Sequence, residues 1–293
     1  MTPAASRPLT GAALMVACCA LLAVTTLIAK VLGRGIDGAA LHPLQVSAGR
    51  FCFALLTLLP ILAWVRPSLR GAAWPVHVGR AICGWAGVSC MFAAAAMMPL
   101  ADATAISFLS PLFTMLLAIP LLGERIGPWR WAAAGISLAG AIVLIRPGTD
   151  AFQVAALIAL TSALFMAMEL ILIKRLTGGE PPLRILAINN SIGATVALAA
   201  ASFVWIWPTP AQWALLALLG TTMVTAQTLF IQAMRRGDAS FVAPFFYATL
   251  VFAAVYDFLV FSVLPTAFSL AGAVLIVAGA ALLAWRERVR GTG

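Results

Sequence analysis

Few side chains in this 293-residue sequence can do chemistry, and each lies inside a long apolar run. Arg50 stands in HPLQVSAGRFCFALL, about seven residues, or roughly 10 Å at 1.5 Å per residue, from the nearer end of its run. A guanidinium at that depth costs at least about 2.5 kcal/mol unless water or a partner meets it. Two roles fit: a cavity cation that receives a substrate carboxylate, or a structural group that snorkels to headgroups or bonds loop carbonyls. Glu169 in AMELILIKRL and Asp257 in VYDFLVF are carboxyl groups in similar surroundings. Either is a candidate proton carrier, and capping a helix or pairing with Arg50 are the structural alternatives. Asn189, Asn190 and Gln227 carry amides that bind a zwitterion without adding charge, or fasten one helix to another. Trp85, Phe108, Phe165, Phe245 and Tyr247 offer flat walls for a ring, or ordinary packing.

Catalytic chemistry has no comparable candidates. The sequence holds no GxxxxGK[ST] phosphate loop, no HExxH and no GxSxG. Cys18, Cys19, Cys52, Cys83 and Cys90 fall in apolar runs without a CxxC spacing, so they read as small buried hydrophobes. His42 and His77 stand alone in different connections. No enzyme activity, cofactor or metal site is expected.

The elements that must hold these residues follow from composition. With 63% hydrophobic residues, 9% charged ones and a mean hydropathy of +1.06, the chain cannot cover a water-soluble globule. Apolar stretches of helix-spanning length recur, whereas membrane strands would be shorter and alternate in polarity. The expectation is an all-α membrane protein with ten transmembrane helices near 11–32, 43–64, 79–99, 101–122, 128–146, 152–173, 183–205, 211–233, 238–262 and 266–285. The first run is too long for a signal core and has Lys30 where a cleavage site should be, so it stays as a span. Short connections leave no soluble domain.

Charge placement orients the bundle. Arg7, Arg66, Arg70, Arg80, Arg125, Arg130, Lys174, Arg175, Arg184, Arg235, Arg236, Arg286, Arg288 and Arg290 fall to one side, against Lys30, Arg34 and Arg146 on the other. Short cytoplasmic loops retain positive charge, so both termini are expected in the cytoplasm, in a bacterial inner membrane. The same bias accounts for the net charge of +9 without a nucleic-acid partner. Every tryptophan except Trp85 lies near a span end, as an interfacial belt requires.

The stretch SFLSPLFTMLLAIPLLGERIG, residues 107–127, holds Pro111 and Pro120 inside an apolar run. Both are expected to bend the fourth helix, with hydroxyls such as Ser107 satisfying the freed carbonyls, and so to supply a flexing point. The chain also resembles itself. MMPLADATAISFLSPLF from Met97 lines up with AMRRGDASFVAPFFYATLVF from Ala233, and SLAGA occurs at 137–141 and 269–273. A five-span unit repeated once enters the membrane upside down the second time. The expected domains are therefore 11–146 and 152–285, two inverted repeats of the kind that rock around a midplane site in secondary transporters.

These pieces resemble the drug/metabolite transporter superfamily in its ten-helix EamA-type branch. The likeness rests on HPLQVSAGRFCFALL, LSPLFTMLLAIPLLGERI, APFFYATLVFAA and GAVLIVAGAALL, in that order. One departure stands out: the family often repeats its Gly-Glu at the end of the ninth helix, where this chain reads Phe261-Ser262-Val263-Leu264, leaving only Glu124. The resemblance implies alternating-access transport of a small metabolite through the lipid bilayer. Similarity to exporters of aromatic and other neutral amino acids makes an amino acid or like zwitterion the expected substrate, with Arg50, Trp85, Phe108, Phe165, Asn189, Asn190, Gln227 and Tyr247 as contacts. Glu169, Asp257, Pro111 and Pro120 are the coupling or gating candidates. Uptake of a cofactor such as riboflavin or S-adenosylmethionine is the alternative, because APFFYATLVFAA resembles that branch too. A membrane scaffold or sensor is the reading from another class. Proton coupling is compatible with these residues, and oligomeric state is left open.

Overall fold

The computed structural model describes residues 8–35, 38–122, 128–145, 154–177, 180–236 and 243–291. Among these the chain forms helices α1 (Pro8–Arg34), α2 (Pro43–Val65), α3 (Trp74–Met97), α4 (Leu100–Ser107), α5 (Ser110–Leu122), α6 (Pro128–Ile145), α7 (Val154–Thr177), α8 (Pro182–Ala201), α9 (Pro210–Arg236), α10 (Ala248–Phe261) and α11 (Ala267–Gly291). A 3₁₀ turn, Ala243–Tyr247, leads into α10, and no strand occurs among the described residues. Seven stretches are long and apolar enough to cross a bilayer, with three shorter apolar helices at Trp131–Ile145, Phe245–Phe261 and Ala267–Gly279. This is an all-α membrane protein. Large apolar side chains such as Leu138, Ile142, Val251, Leu259 and Val274 face outward, where only lipid can solvate them.

Proline starts many of these helices, because its missing N–H is one of the first-turn donors left without an intrahelical partner anyway. Pro43 opens α2, Pro182 opens α8, and Pro75 lies in the first turn of α3. His42 caps α2, its Nδ1 accepting the Leu44 N–H at 3.3 Å. Helix α2 stops where Arg66 turns to φ 45°, and α10 where Ser262 turns to φ 56°.

The fourth span bends, though not by a kink inside one helix. It is two helices, and Pro111 is the second residue of α5, a position that needs no N–H. The break falls at Phe108 and Leu109. The Phe108 N–H is shared between the Thr104 and Ala105 carbonyls, and Ser107 Oγ donates to Thr104 O at 2.7 Å, so the end of α4 is satisfied. Pro120 lies in the last turn of α5, and Gly123, Glu124 and Arg125 lie outside the described residues.

Helix packing crosses between the two halves of the chain. The α1–α9 contact is matched by α7–α3, α1–α10 by α7–α5, and α2–α9 by α8–α3, while α2–α8 and α6–α11 join like to like. The duplicated SLAGA segments explain the last of these. A Cβ on Gly140 would come within 2.7 Å of Ile276 N and 2.8 Å of Gly272 O, and one on Gly272 within 2.8 Å of Gly140 O. The α6 and α11 backbones therefore touch, as small residues allow between membrane helices.

Two of the basic residues counted as flanking charges are inside the bundle: Lys30 is fully buried in α1, and Arg80 is buried in α3. The remaining asymmetry of Lys and Arg is unaffected.

Candidate functional site

A cavity of about 270 Å³ opens among α1, α2, α3, α4, α5, α7, α9 and α10. Phe92, Phe108 and Phe246 supply its flat surfaces, and Met91, Met166 and Met223 its deformable ones. Its polar lining divides into one cation and a set of hydroxyls.

Arg50 is the cation. Only 7% of it is exposed, and its guanidinium rests 4.4 Å from the centroid of the Phe51 ring. Among the described residues no carbonyl or carboxylate accepts a hydrogen bond from it, so its N–H donors are open to whatever enters the cavity, while the Glu169 carboxylate attracts it and the Arg80 guanidinium repels it from a distance. The hydroxyls have the opposite character. Thr25 donates to Leu22 O at 2.7 Å, Thr26 to Ala23 O at 2.9 Å, Thr104 to Leu100 O at 2.7 Å, Ser107 to Thr104 O at 2.7 Å and Thr249 to Phe246 O at 2.8 Å. Each of these five has committed its proton to its own helix and offers the cavity oxygen lone pairs, whereas the Ser110 hydroxyl, also in the lining, is open to donate as well as accept. The cavity thus combines a concentrated donor array with scattered acceptors.

Toward the end of the bundle that holds Glu180, a charged pair follows. Glu169 on α7 faces Gly84 on α3, where a Cβ would meet the carboxyl carbon at 2.9 Å. The absent side chain leaves room for Arg80, one turn earlier, to approach Glu169 at 3.5 Å and to donate to Ile185 O at 3.4 Å. Nearby polar atoms lack partners: Arg80 Nε, Trp85 Nε1 and Asn189 Oδ1 are all buried without a hydrogen bond. Asn189 lies one turn beyond Ile185, and Trp85 packs beside Phe51 against the α8 alanines. Buried orphans of this kind normally have a ligand or water to meet.

The other end is closed by Asp257. Its Oδ1 pairs with Lys30 Nζ, and its Oδ2 accepts the Leu100 N–H at 2.8 Å, capping α4. The expected alternative partner, Arg50, is not the one it takes. Lys30 was legible only as a charge near a helix end; its burial depends on contacts far away in sequence.

The structure therefore brings together only part of the expected set. Arg50 and Phe108 line the cavity and Glu169 pairs with Arg80, while Trp85 and Asn189 are outside the lining with buried polar atoms that lack a partner. Phe165 packs at Gly87, and Asn190 donates its amide to Leu186 O on its own helix at 2.9 Å. Tyr247 stacks edge-on against Phe108 at 5.3 Å but faces a separate apolar groove, and half-buried Gln227 is not among the cavity residues. The hydroxyls went unpredicted because Ser and Thr are common in membrane helices and give no periodic signal.

At the Glu180 end, Glu180 ties two connections together. Its Oε1 accepts the Ala73 N–H at 2.9 Å, its Oε2 lies 2.9 Å from His77 Nε2, and Arg184 is 3.8 Å away. Burial opposes ionisation there, but the Ala73 hydrogen bond and the His77 and Arg184 partners outweigh it, and the carboxyl is held below its ordinary value.

Comparison with known proteins gives concordant results. The sequence matches the EamA-like transporter family over residues 9–146 and again over 153–285. It is 30% identical to an S-adenosylmethionine uptake transporter of Rickettsia prowazekii over 266 residues, 90% of either chain. It is 33% identical to a riboflavin transporter of Rhizobium johnstonii over 246 residues, 82% of this chain and 80% of that one. It is also 30% identical to a pseudopaline exporter of Pseudomonas aeruginosa over 225 residues, 76% of this chain and 78% of the relative.

Proposed function

We propose that this chain, which belongs to the EamA-like transporter family, carries a small zwitterion with an α-amino-acid head, and that its cavity binds that head directly. Transport of small metabolites across a membrane is common to the family and the named relatives. The observation that carries the finer reading is the split of the cavity lining: guanidinium donors at Arg50 without a hydrogen-bond acceptor among the described residues, and five hydroxyl oxygens whose protons are already used. A carboxylate suits the first and an ammonium the second. Phosphate esters would call for several cations, and Arg50 is the cationic side chain among the cavity residues.

Free amino acids, aromatic or neutral, are the leading substrates, moved outward. The volume of about 270 Å³ lies below the roughly 300–1,000 Å³ usual for drug-sized ligands, which supports a small solute. Uptake of a cofactor is the second reading, supported by the names of the relatives and by the three methionines, which can re-pack around a larger ring. S-Adenosylmethionine carries the same α-amino-acid head, so one headgroup site serves it or a free amino acid, whereas riboflavin has no such head and would not use that site. Counterflow in proteoliposomes separates them: labelled phenylalanine, tryptophan, threonine and methionine against labelled S-adenosylmethionine and riboflavin. Exchange of none of the four amino acids overturns the first reading.

The two halves act as inverted copies, 11–146 and 152–285, in this proposal. The crosswise pairing of helices and the double family match support it. The N- and C-termini are cytoplasmic in a bacterial inner membrane. Of the two carboxylates, Glu169 is the better proton carrier, since it is loosely paired at 3.5 Å and 22% of its side chain is exposed, whereas Asp257 is enclosed.

A further inference from the structure

The end of the bundle where α1 finishes and α4 begins is the side that the charge bias assigns outside. There the cavity has a polar roof. We infer that Lys30, Asp257 and the backbone amide of Leu100 form a latch that closes the cavity to the outer side and must part for it to open. The inference rests on the transporter reading for its purpose, but its geometry is independent of any substrate.

Three separate elements meet at the latch, and each lines the cavity just below it. Thr26 is one turn deeper than Lys30 on α1, Thr104 is one turn deeper than Leu100 on α4, and Thr249 is two turns deeper than Asp257 on α10. Parting Asp257 from Lys30 and Leu100 therefore removes the polar tie of α10 to α1 and α4 above the cavity and leaves only apolar contacts there, Ala253 against Leu100 and Leu27 among them, to be separated. Both carboxylate oxygens are committed, one to each neighbour. Lys30 is 0% exposed, and its Nζ lies 4.7 Å from the Phe261 ring centroid, with Arg34 at 4.9 Å on the same ring. Arg34 also donates to Ala96 O at 3.2 Å, joining the ends of α1 and α3.

A charge pair suits a closure with two states. Buried, its mutual attraction and the helix cap offset the loss of water; parted, both groups are hydrated, so neither state is far below the other. An apolar plug would have no comparable stability when open. At the opposite end the Arg80–Glu169 pair is wider and partly exposed, so the Lys30 end is the more tightly shut of the two.

Cysteine accessibility tests the latch without any substrate. Thr26→Cys is placed in a chain whose five native cysteines are Ala, and labelling by a membrane-impermeant thiol reagent is timed on spheroplasts. Lys30→Met leaves the Asp257 carboxylate buried without its cation and should speed labelling by about tenfold or more. Adding Asp257→Asn removes that orphan charge while an amide oxygen still accepts from Leu100. This double variant should return labelling to within about twofold of the parent and lose flux, being held shut. It also covers the case in which Lys30→Met does not fold, since it buries no unpaired charge. Unchanged labelling in a folded Lys30→Met chain, or fast labelling in the double variant, overturns the latch. Labelling that responds as expected in a chain that exchanges no metabolite would instead overturn the transport reading and leave the latch standing.

Discussion

Replacing Arg50 by Met should weaken transport and strengthen the fold at once, because the same unpaired guanidinium serves one and burdens the other. On insertion scales a charged side chain at such depth costs at least about 2.5 kcal/mol. The Phe51 ring returns about 1 kcal/mol of that through its cation–π contact. No described hydrogen bond compensates further, so Arg50→Met should stabilise the bundle by about 1.5 kcal/mol, the difference between those two effects. On the functional side, one lost hydrogen bond between a charged donor and a carboxylate is worth about 1.5–3 kcal/mol, which is roughly a 10- to 150-fold rise in half-saturation. Counterflow in proteoliposomes, run over a concentration series, measures the second quantity. Denaturant titration of the purified protein in detergent, followed by tryptophan fluorescence, measures the first. A half-saturation within about twofold of the parent would remove Arg50 from the site. A loss of about 2 kcal/mol of stability would show that it fastens helices, contrary to the unpaired geometry.

Gly84→Ala puts a methyl 2.9 Å from the Glu169 carboxyl carbon and should drive that carboxylate away from Arg80. Flux should fall while Glu169→Gln flux falls no further on adding Gly84→Ala; additive losses in the double variant would separate the two positions. Gly140→Ala meets backbone atoms at 2.7 and 2.8 Å that cannot rotate aside, so it should cost about 1–3 kcal/mol and lower the melting temperature measured by fluorescence. An unchanged melting temperature would mean that α6 and α11 separate freely. Glu180, held below its ordinary value, adds stability that is fully present above about pH 4.3, the unfolded carboxylate value, and is lost as pH falls through its folded value. Glu180→Gln should therefore destabilise the protein at pH 7, and that difference should shrink as pH falls below about 4.3 and through the carboxyl's folded value; a difference that does not shrink on acidification would dismiss the tie to Ala73 and His77.

Much of the architecture was readable because lipid enforces it. The recurrence of apolar helices along the chain follows from local composition, as does its reading as an all-α membrane protein. The two SLAGA segments were visible as a repeat, but their purpose was not, since a five-residue match does not say that Gly140 and Gly272 would meet backbone to backbone. Arg50 stood out because an arginine deep in an apolar run is costly wherever it points, and the fold sets it in the lining of the cavity. Lys30 was misplaced for a related reason: four residues from the end of α1, it satisfies a loop count and a buried role equally, and only Asp257, 227 positions later, decides between them. The same holds for Pro111, whose effect depends on whether a helix starts or continues at Ser110. The hydroxyls are the deeper case. Their meaning comes from where their protons go, and a Thr whose proton is spent on its own helix is indistinguishable in sequence from one that donates into the cavity. The acceptor half of the proposed zwitterion site is thus invisible one residue at a time, and emerges only when α1, α4 and α10 bring those hydroxyls into one cavity with the guanidinium on α2.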